Sequence, residues 1–234
     1  VTNNTVFHAQ YGKFVQLPQL EFLYTGRESL DFWVTTGGFS GSFGNPNLTP
    51  EQTTAYEIGI KQQVGDKLSF DATVYYKETE DLIGIKKYPQ LPNQIQVYAN
   101  QDYGTIRGLD FMLDLRRTNR LSLNWSIGIA FASGTGSDPN SAQTAAWLGE
   151  RQPKFTQPLD YDQRYTSSVN LDYRFGKTDV PKGWTGDVLS QLGLNLLYSF
   201  NSGRPYSLKA NNQDPFAGTG AGAALLSPIN GVYG

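Results

Sequence analysis

Few residues of this 234-residue chain have the types and spacing that covalent chemistry needs. It has one histidine, His8, and no cysteine, which excludes a thiol nucleophile and a disulfide framework and argues against a metal centre built on Cys or His. The carboxylate pairs Glu78/Glu80 and Asp160/Asp162 have no obligatory partner nearby. No nucleophile elbow, metal-ligand spacing or glycine-rich phosphate loop is present. The expectation is a protein that is not an enzyme and holds no metal or cofactor. The chain does offer binding chemistry: Trp147, Arg151, Lys154, Asp160 and Tyr161 fall in one long polar stretch, where aromatic faces and mixed charge suit capture of a sugar, a peptide or a chelate. Taken singly, each residue fits ordinary solvated loop surface as well. His8 reads as a hydrogen-bonded strand-end side chain, and Gly104 and Gly108 read as bend or close-packing glycines.

The elements that would position these residues show in a period of two. From Lys67 to Lys77 one face is Leu68, Phe70, Ala72, Val74 and Tyr76, and the other carries Ser69, Asp71, Thr73 and Tyr75. Leu121, Leu123, Trp125, Ile127, Ile129 and Phe131 alternate with small or polar residues, and the code recurs around Leu109–Leu115, Val169–Phe175 and Leu192–Phe200. This predicts seven strands, near 3–17, 53–64, 67–85, 94–117, 120–133, 162–176 and 188–207. Tight turns fall at Gly65-Asp66 and Thr118-Asn119, a short link at 177–187, and long polar loops at 18–52, 86–93, 134–161 and 208–230. A short helix is expected only at 141–151, capped by Ser141. No linker divides the chain into domains.

Composition narrows the class. Nineteen Lys+Arg against 21 Asp+Glu leave a formal charge of -2, with no basic patch for nucleic acid. Mean hydropathy is -0.43, and no apolar run reaches the roughly 18 residues of a membrane-spanning helix. Strands of a membrane barrel escape that test because they alternate and average out as polar. A soluble sandwich alternates too. Two features favour the barrel: apolar faces of five or six large residues without a charge, and connections that are short at one end of the strands and long at the other. Tyr75, Tyr76, Tyr98, Tyr103, Tyr165, Tyr173, Phe175, Tyr198 and Tyr206 gather near predicted strand ends, as interfacial girdles would.

Four segments resemble a known family in family order. Asn45-Pro-Asn-Leu-Thr-Pro-Glu-Gln-Thr-Thr-Ala-Tyr-Glu-Ile-Gly-Ile60 is similar to the Asn-Pro-x-Leu-x-Pro-Glu…Tyr-Glu-x-Gly segment of TonB-dependent outer-membrane receptors, with Asn45, Pro46, Leu48, Pro50, Glu51, Tyr56, Glu57 and Gly59 at the motif positions. Tyr11-Gly-Lys-Phe-Val-Gln-Leu-Pro18 resembles the passage upstream. Pro158-Leu-Asp-Tyr-Asp-Gln-Arg-Tyr-Thr166 and Ser202-Gly-Arg-Pro-Tyr206 are similar to the Oar-like subgroup, with Tyr165 where a His often stands there. The motif also has a local reading as structure rather than ligand contact: Thr49 caps one helical turn, with Pro50 at its first position and Glu51 at its positive end.

The resemblance implies an all-β fold: a partial antiparallel transmembrane β-barrel, about seven strands of a 22-stranded barrel. Residues 1–234 then form a segment of a single barrel domain without the plug or the closing C-terminal strands. Seven strands cannot close an antiparallel barrel, and open edges in lipid leave backbone groups unpaired. The expected partners are outer-membrane lipid, the remaining strands and plug from the same or a partner chain, the TonB complex through that plug, and a surface lipoprotein. The location implied is the outer membrane of a Gram-negative bacterium, the function binding and import of a scarce nutrient. The alternative is a passive porin or a structural split-barrel subunit. With tight turns towards the periplasm, the loops holding Trp147 to Tyr161 face outside. Asp110, Asp114, Arg116, Asp172 and Arg174 then line the lumen, able to pair with one another or to contact the plug, and pairing is expected to dominate.

Overall fold

The computed structural model describes residues 4–38, 41–88, 93–141, 143, 146, 155–176, 183–190, 192–206 and 232–233. Seven long strands run antiparallel in one sheet: β1 (Thr5–Gln16), β3 (Glu51–Val64), β4 (Leu68–Tyr88), β5 (Ile95–Thr118), β6 (Leu121–Gly134), β8 (Tyr165–Arg174) and β9 (Gly193–Asn201), adjacent in that order. Each pairs with its neighbour along the chain, so the sheet is a meander. Two short strands join it, β2 (Ser42–Phe43) parallel to β5 and β7 (Gln157–Pro158) beside β6. Separately, β10 (Pro205–Tyr206) pairs with β11 (Val232–Tyr233).

The register turns seven alternating strands into two continuous faces. Phe7, Ile60, Ala72, Phe111, Ile127, Ser167 and Phe200 form one row from edge to edge, and the rows on either side hold Leu109 and Ile129, and Leu113, Trp125 and Val169. Among the described residues no second layer covers this face: Ile58 is 64% exposed, Val74 51% and Leu194 58%. A sandwich would bury such residues between two sheets. An apolar face of this breadth needs a partner that is itself apolar.

Aromatics rim the face at both ends. Tyr11, Tyr56, Tyr76 and Phe131 share one row at the loop end, with Tyr11 and Tyr56 rings 5.2 Å apart. Tyr173 and Phe175 meet edge to face at the turn end. The girdle expectation needs correction at three residues. Tyr75 lies on the polar face over Gly108, Tyr98 is buried at the loop end, and Tyr198 stands mid-face opposite Val169.

The turn-end connections are short for a local reason. Gly65 takes φ 62°, and Asn119 and Arg120 take φ 49° and 96°, so this second turn centres one residue later than expected, with the two positive φ values that match strand twist. The stretch 18–52 is not irregular throughout. It contains α1 (Leu20–Tyr24), a 3-10 turn at Arg27–Ser29, α2 (Leu30–Thr36) and β2. The link at 177–187 likewise leads into α3 (Trp184–Leu189), and β9 starts at Gly193 rather than near 188. The helix expected at 141–151 and the loop at 208–230 lie largely outside the described residues. Ser141 itself accepts the N–H groups of Ser137 and Asp138 and donates to Asp138 Oδ2.

Candidate functional site: the loop-end cavity

At 21 and 24 residues, β4 and β5 are about twice as long as a tilted membrane strand requires, so their outer halves project beyond the apolar band. There the sheet changes character. Register breaks between Thr79 and Ile83, and Asp81 takes φ 59°, which leaves backbone groups without ladder partners. The Asn-Pro segment supplies those partners. Asn45 Oδ1 accepts the N–H of Asn47, Leu48 N–H closes onto Asn45 O, and Pro46 occupies the second position of this turn, where its fixed φ fits. Asn45 Nδ2 donates to Tyr98 O. Asn100 brackets Thr49, accepting its N–H and donating to its carbonyl, and donates also to Asp81 O. Glu51 Oε1 accepts the buried Ile83 N–H at 3.2 Å.

This corrects the sequence reading of Thr49 to Glu51. No helical turn forms; Pro50 stands just before β3 and gives up no ladder bond, and the Glu51 carboxylate meets a backbone N–H of the β4 bulge instead of a helix dipole. Leu48 packs with Phe22 against the buried cluster of Ile83, Ile85, Tyr98 and Ala146. Phe22 and Tyr98 rings lie 4.9 Å apart. Further along the motif, Tyr56 joins the aromatic row, while Glu57 sits on the polar face with Lys77 Nζ at 3.6 Å. Gly59 lacks the Cβ that would collide with His8 at 2.4 Å, so the imidazole crosses β3 and Nε2 lies 3.3 Å from Thr73 Oγ1 on the strand beyond.

The other segments tie down the same end. Leu159 is fully buried against Gly104 and Gly134, where an added Cβ at Gly134 would sit 2.7 Å from Tyr103 O. Asp162, 2% exposed, accepts Ala132 N–H at 2.8 Å and pairs with Arg164 at 3.6 Å, and the Arg164 guanidinium lies over the Phe131 ring. Ser202 brackets Tyr165, donating its N–H to Tyr165 O and accepting Tyr165 N–H on its hydroxyl.

Between these ties lies a cavity of about 270 Å³, lined by Gln16, Phe22, Glu51, Ile83, Asp102 and Tyr161 among others. It joins the end of β1, the start of β3 and the loop after β6. Burial holds the Asp102 carboxyl above its usual value, opposed by the hydrogen bond it accepts from Thr135 Oγ1 at 2.8 Å. Burial likewise raises the Tyr161 phenol. The cavity is therefore lined by an aromatic ring, a phenol and three carboxylate residues, Glu51, Asp102 and Asp138, a wall able to accept hydrogen bonds from a ligand.

Of the five loop residues singled out, Tyr161 lines this cavity and Asp160 donates its N–H to Ser137 Oγ beside it. Trp147, Arg151 and Lys154 lie outside the described residues. Asp102 was missed, because its significance comes from the bulge that turns it towards Thr135. On the polar face, Asp172 pairs with Arg174 at 3.5 Å and with Arg117 rather than Arg116. Asp110 and Asp114 stand opposite Thr73 and Asn124. Among the described residues no group of three or more His, Asp or Glu side chains comes together to hold a metal ion.

The family model described as TonB dependent receptor-like, beta-barrel, matches residues 1–225. The chain belongs to that family. Its fold recurs in solved structures. The outer membrane transporter YddB from Escherichia coli superposes with a TM-score of 0.60 at 15% identity, over 91% of this chain and 28% of that one. The pyoverdine outer membrane receptor FpvA from Pseudomonas aeruginosa, with pyoverdine bound, gives 0.51 at 14% over 86% and 26%. The siderophore receptor PirA from Acinetobacter baumannii gives 0.51 at 14% over 89% and 34%. No curated protein matches the sequence. The chain thus spans roughly a quarter to a third of the length of these structures, and its open sheet is part of a TonB-dependent receptor barrel.

Proposed function

We propose that the chain is a segment of the single barrel domain of a receptor in the outer membrane of a Gram-negative bacterium, which binds a scarce nutrient at its outer loops and imports it in a TonB-dependent way. The observation that carries this is the two-faced register: one apolar face crosses all seven strands, while the opposite face carries Glu57, Lys77, Asp110, Asn124 and Asp172 for a hydrated interior. The edges of β1 and β9 await further strands, and the polar face suits a plug. The loop-end cavity at Tyr161 and Asp102, with Asp160 beside it and Trp147, Arg151 and Lys154 in the same loop, forms part of the ligand-receiving surface. The segments around Asp162 and Ser202 motivate assignment to the Oar-like subgroup, and a surface lipoprotein is a further partner to seek.

Conductance tests this against a passive pore. The native polypeptide that carries this segment, reconstituted in planar bilayers, should hold no steady open conductance until its plug is unfolded by urea. A steady, voltage-independent current through the untreated protein would establish a porin instead.

A further inference from the structure

A separate cavity of about 310 Å³ lies on the polar face, over β1, β3 and β4. That reaches the lower end of the roughly 300–1,000 Å³ of a small-molecule site. Register fixes its plan. Phe14 stands opposite Thr53 in the outermost row, Gly12 opposite Ala55 and then Lys77 in the next, and Gln10 opposite Glu57 and then Tyr75 in the third. The middle row is a floor, because Gly12 has no side chain and Ala55 is 6% exposed. Phe14 leans along its own strand over Gly12, where an added Cβ would sit 3.0 Å from the ring. Phe14 is still 56% exposed, more than backbone atoms could supply, so the ring is open to the cavity it lines. A further strand beyond β1 would lie beside it in the plane of the sheet. It would cover the edge of β1 and leave this floor, which β1, β3 and β4 make between them.

Two opposite charges stand at the inner side of the floor. Lys77 Nζ lies 3.6 Å from Glu57 Oε1, too wide for a hydrogen bond, and their side chains are 42% and 31% exposed. Lys77 is steadied by the Tyr75 ring, whose centroid is 5.3 Å from Nζ. The ammonium keeps its donors and the carboxylate its acceptor oxygens for a guest. The Gln10 amide beside Glu57 is exposed as well.

We propose that this cavity is a binding site for an α-amino acid with an apolar side chain. Its ammonium pairs with Glu57, its carboxylate with Lys77, and its side chain lies on the floor against Phe14. Charge complementarity decides the class. A guest with one charge would satisfy one member of the pair and face a like charge on the other. An α-amino acid carries both charges on one carbon, which suits a pair 3.6 Å apart, whereas an extended peptide separates its termini by about 3.3–3.6 Å more per residue. The proposal rests on the receptor reading in one respect, that this face lines a hydrated interior.

Saturation-transfer NMR of the native polypeptide in detergent tests it, with L-leucine, N-acetyl-L-leucine and isoamylamine as probes. The second lacks the ammonium and the third the carboxylate. L-leucine should bind roughly tenfold or more tightly than either. Glu57→Gln should abolish its advantage over N-acetyl-L-leucine, Lys77→Gln its advantage over isoamylamine, and Phe14→Ala should weaken all three. These side chains are part-exposed, and heat-modifiable mobility on a denaturing gel checks that each variant has folded. No signal from L-leucine overturns the site, as does binding that Phe14→Ala leaves unchanged. Equal binding of the three probes, unaltered by Glu57→Gln and Lys77→Gln, overturns the amino-acid assignment. A pore that stays closed in bilayers while L-leucine does not bind refutes the site alone, whereas an open pore with L-leucine bound refutes the receptor reading alone.

Discussion

Glu51 shows how one side chain carries a motif. Its carboxylate holds the Ile83 N–H at a point where the bulge has removed the ladder partner, and Ile83 is buried. Glu51→Ala should cost about 1–3 kcal/mol, the penalty of an orphaned buried donor. Glu51→Gln keeps a neutral acceptor in place and should recover most of it, as a thermal unfolding midpoint in detergent would show. Asp102 predicts a pH effect. Its carboxyl is held above the ordinary 3.8 by burial, so the folded state binds the proton more tightly than the unfolded chain. Its contribution is therefore fully present below the ordinary value and is lost as pH rises through the folded one. Asp102→Asn should raise the midpoint modestly at pH 7, less than full burial would give because the group is partly exposed, and leave it unchanged near pH 3. Unfolding scans at the two pH values check this.

At the scale of elements, the seven long strands were legible because one face of each is apolar, and the period of two survives any misplacement of strand ends. Leu123→Arg places a charge mid-face and should cost about 2–4 kcal/mol or block assembly, while Asn124→Arg, on the opposite face, should assemble normally. Heat-modifiable mobility on a denaturing gel separates the two outcomes. The elements that escaped notice are those made by tertiary contact. Residues 30–36 include Val34, Thr35 and Thr36, poor helix formers, and α2 is fastened from outside by Asn93. α1 is held by Phe22 against Tyr98 and by Asn45 N–H on Phe22 O. Neither leaves a periodic signal in five or seven residues. The turn at Pro46 was misplaced to Pro50 because both prolines follow a residue able to cap, and only the position of Asn100 decides between them. At the loop-end cavity, the polar, aromatic loop that carries Tyr161 was legible, whereas the place of Asp102 in the lining depends on a register that only the folded hairpin sets.

For the whole molecule, the seven strands present two surfaces that call for partners: an apolar face rimmed by aromatics, and backbone edges along β1 and β9 that would go unpaired in lipid. In the proposed receptor a bilayer would cover the first and further barrel strands would pair the second, so the proposed membrane placement organises everything else. The measurement closest to that claim uses the absence of cysteine in this chain. Single cysteines at 123 to 130, spin-labelled in an otherwise cysteine-free native polypeptide in liposomes, report collision with oxygen, which concentrates in lipid, and with a water-soluble nickel chelate. The account predicts oxygen maxima at Leu123, Trp125, Ile127 and Ile129, and nickel maxima out of phase at Asn124, Ser126 and Ala130. Equal access of nickel to both sets, or protection of the odd set from both reagents, would contradict it.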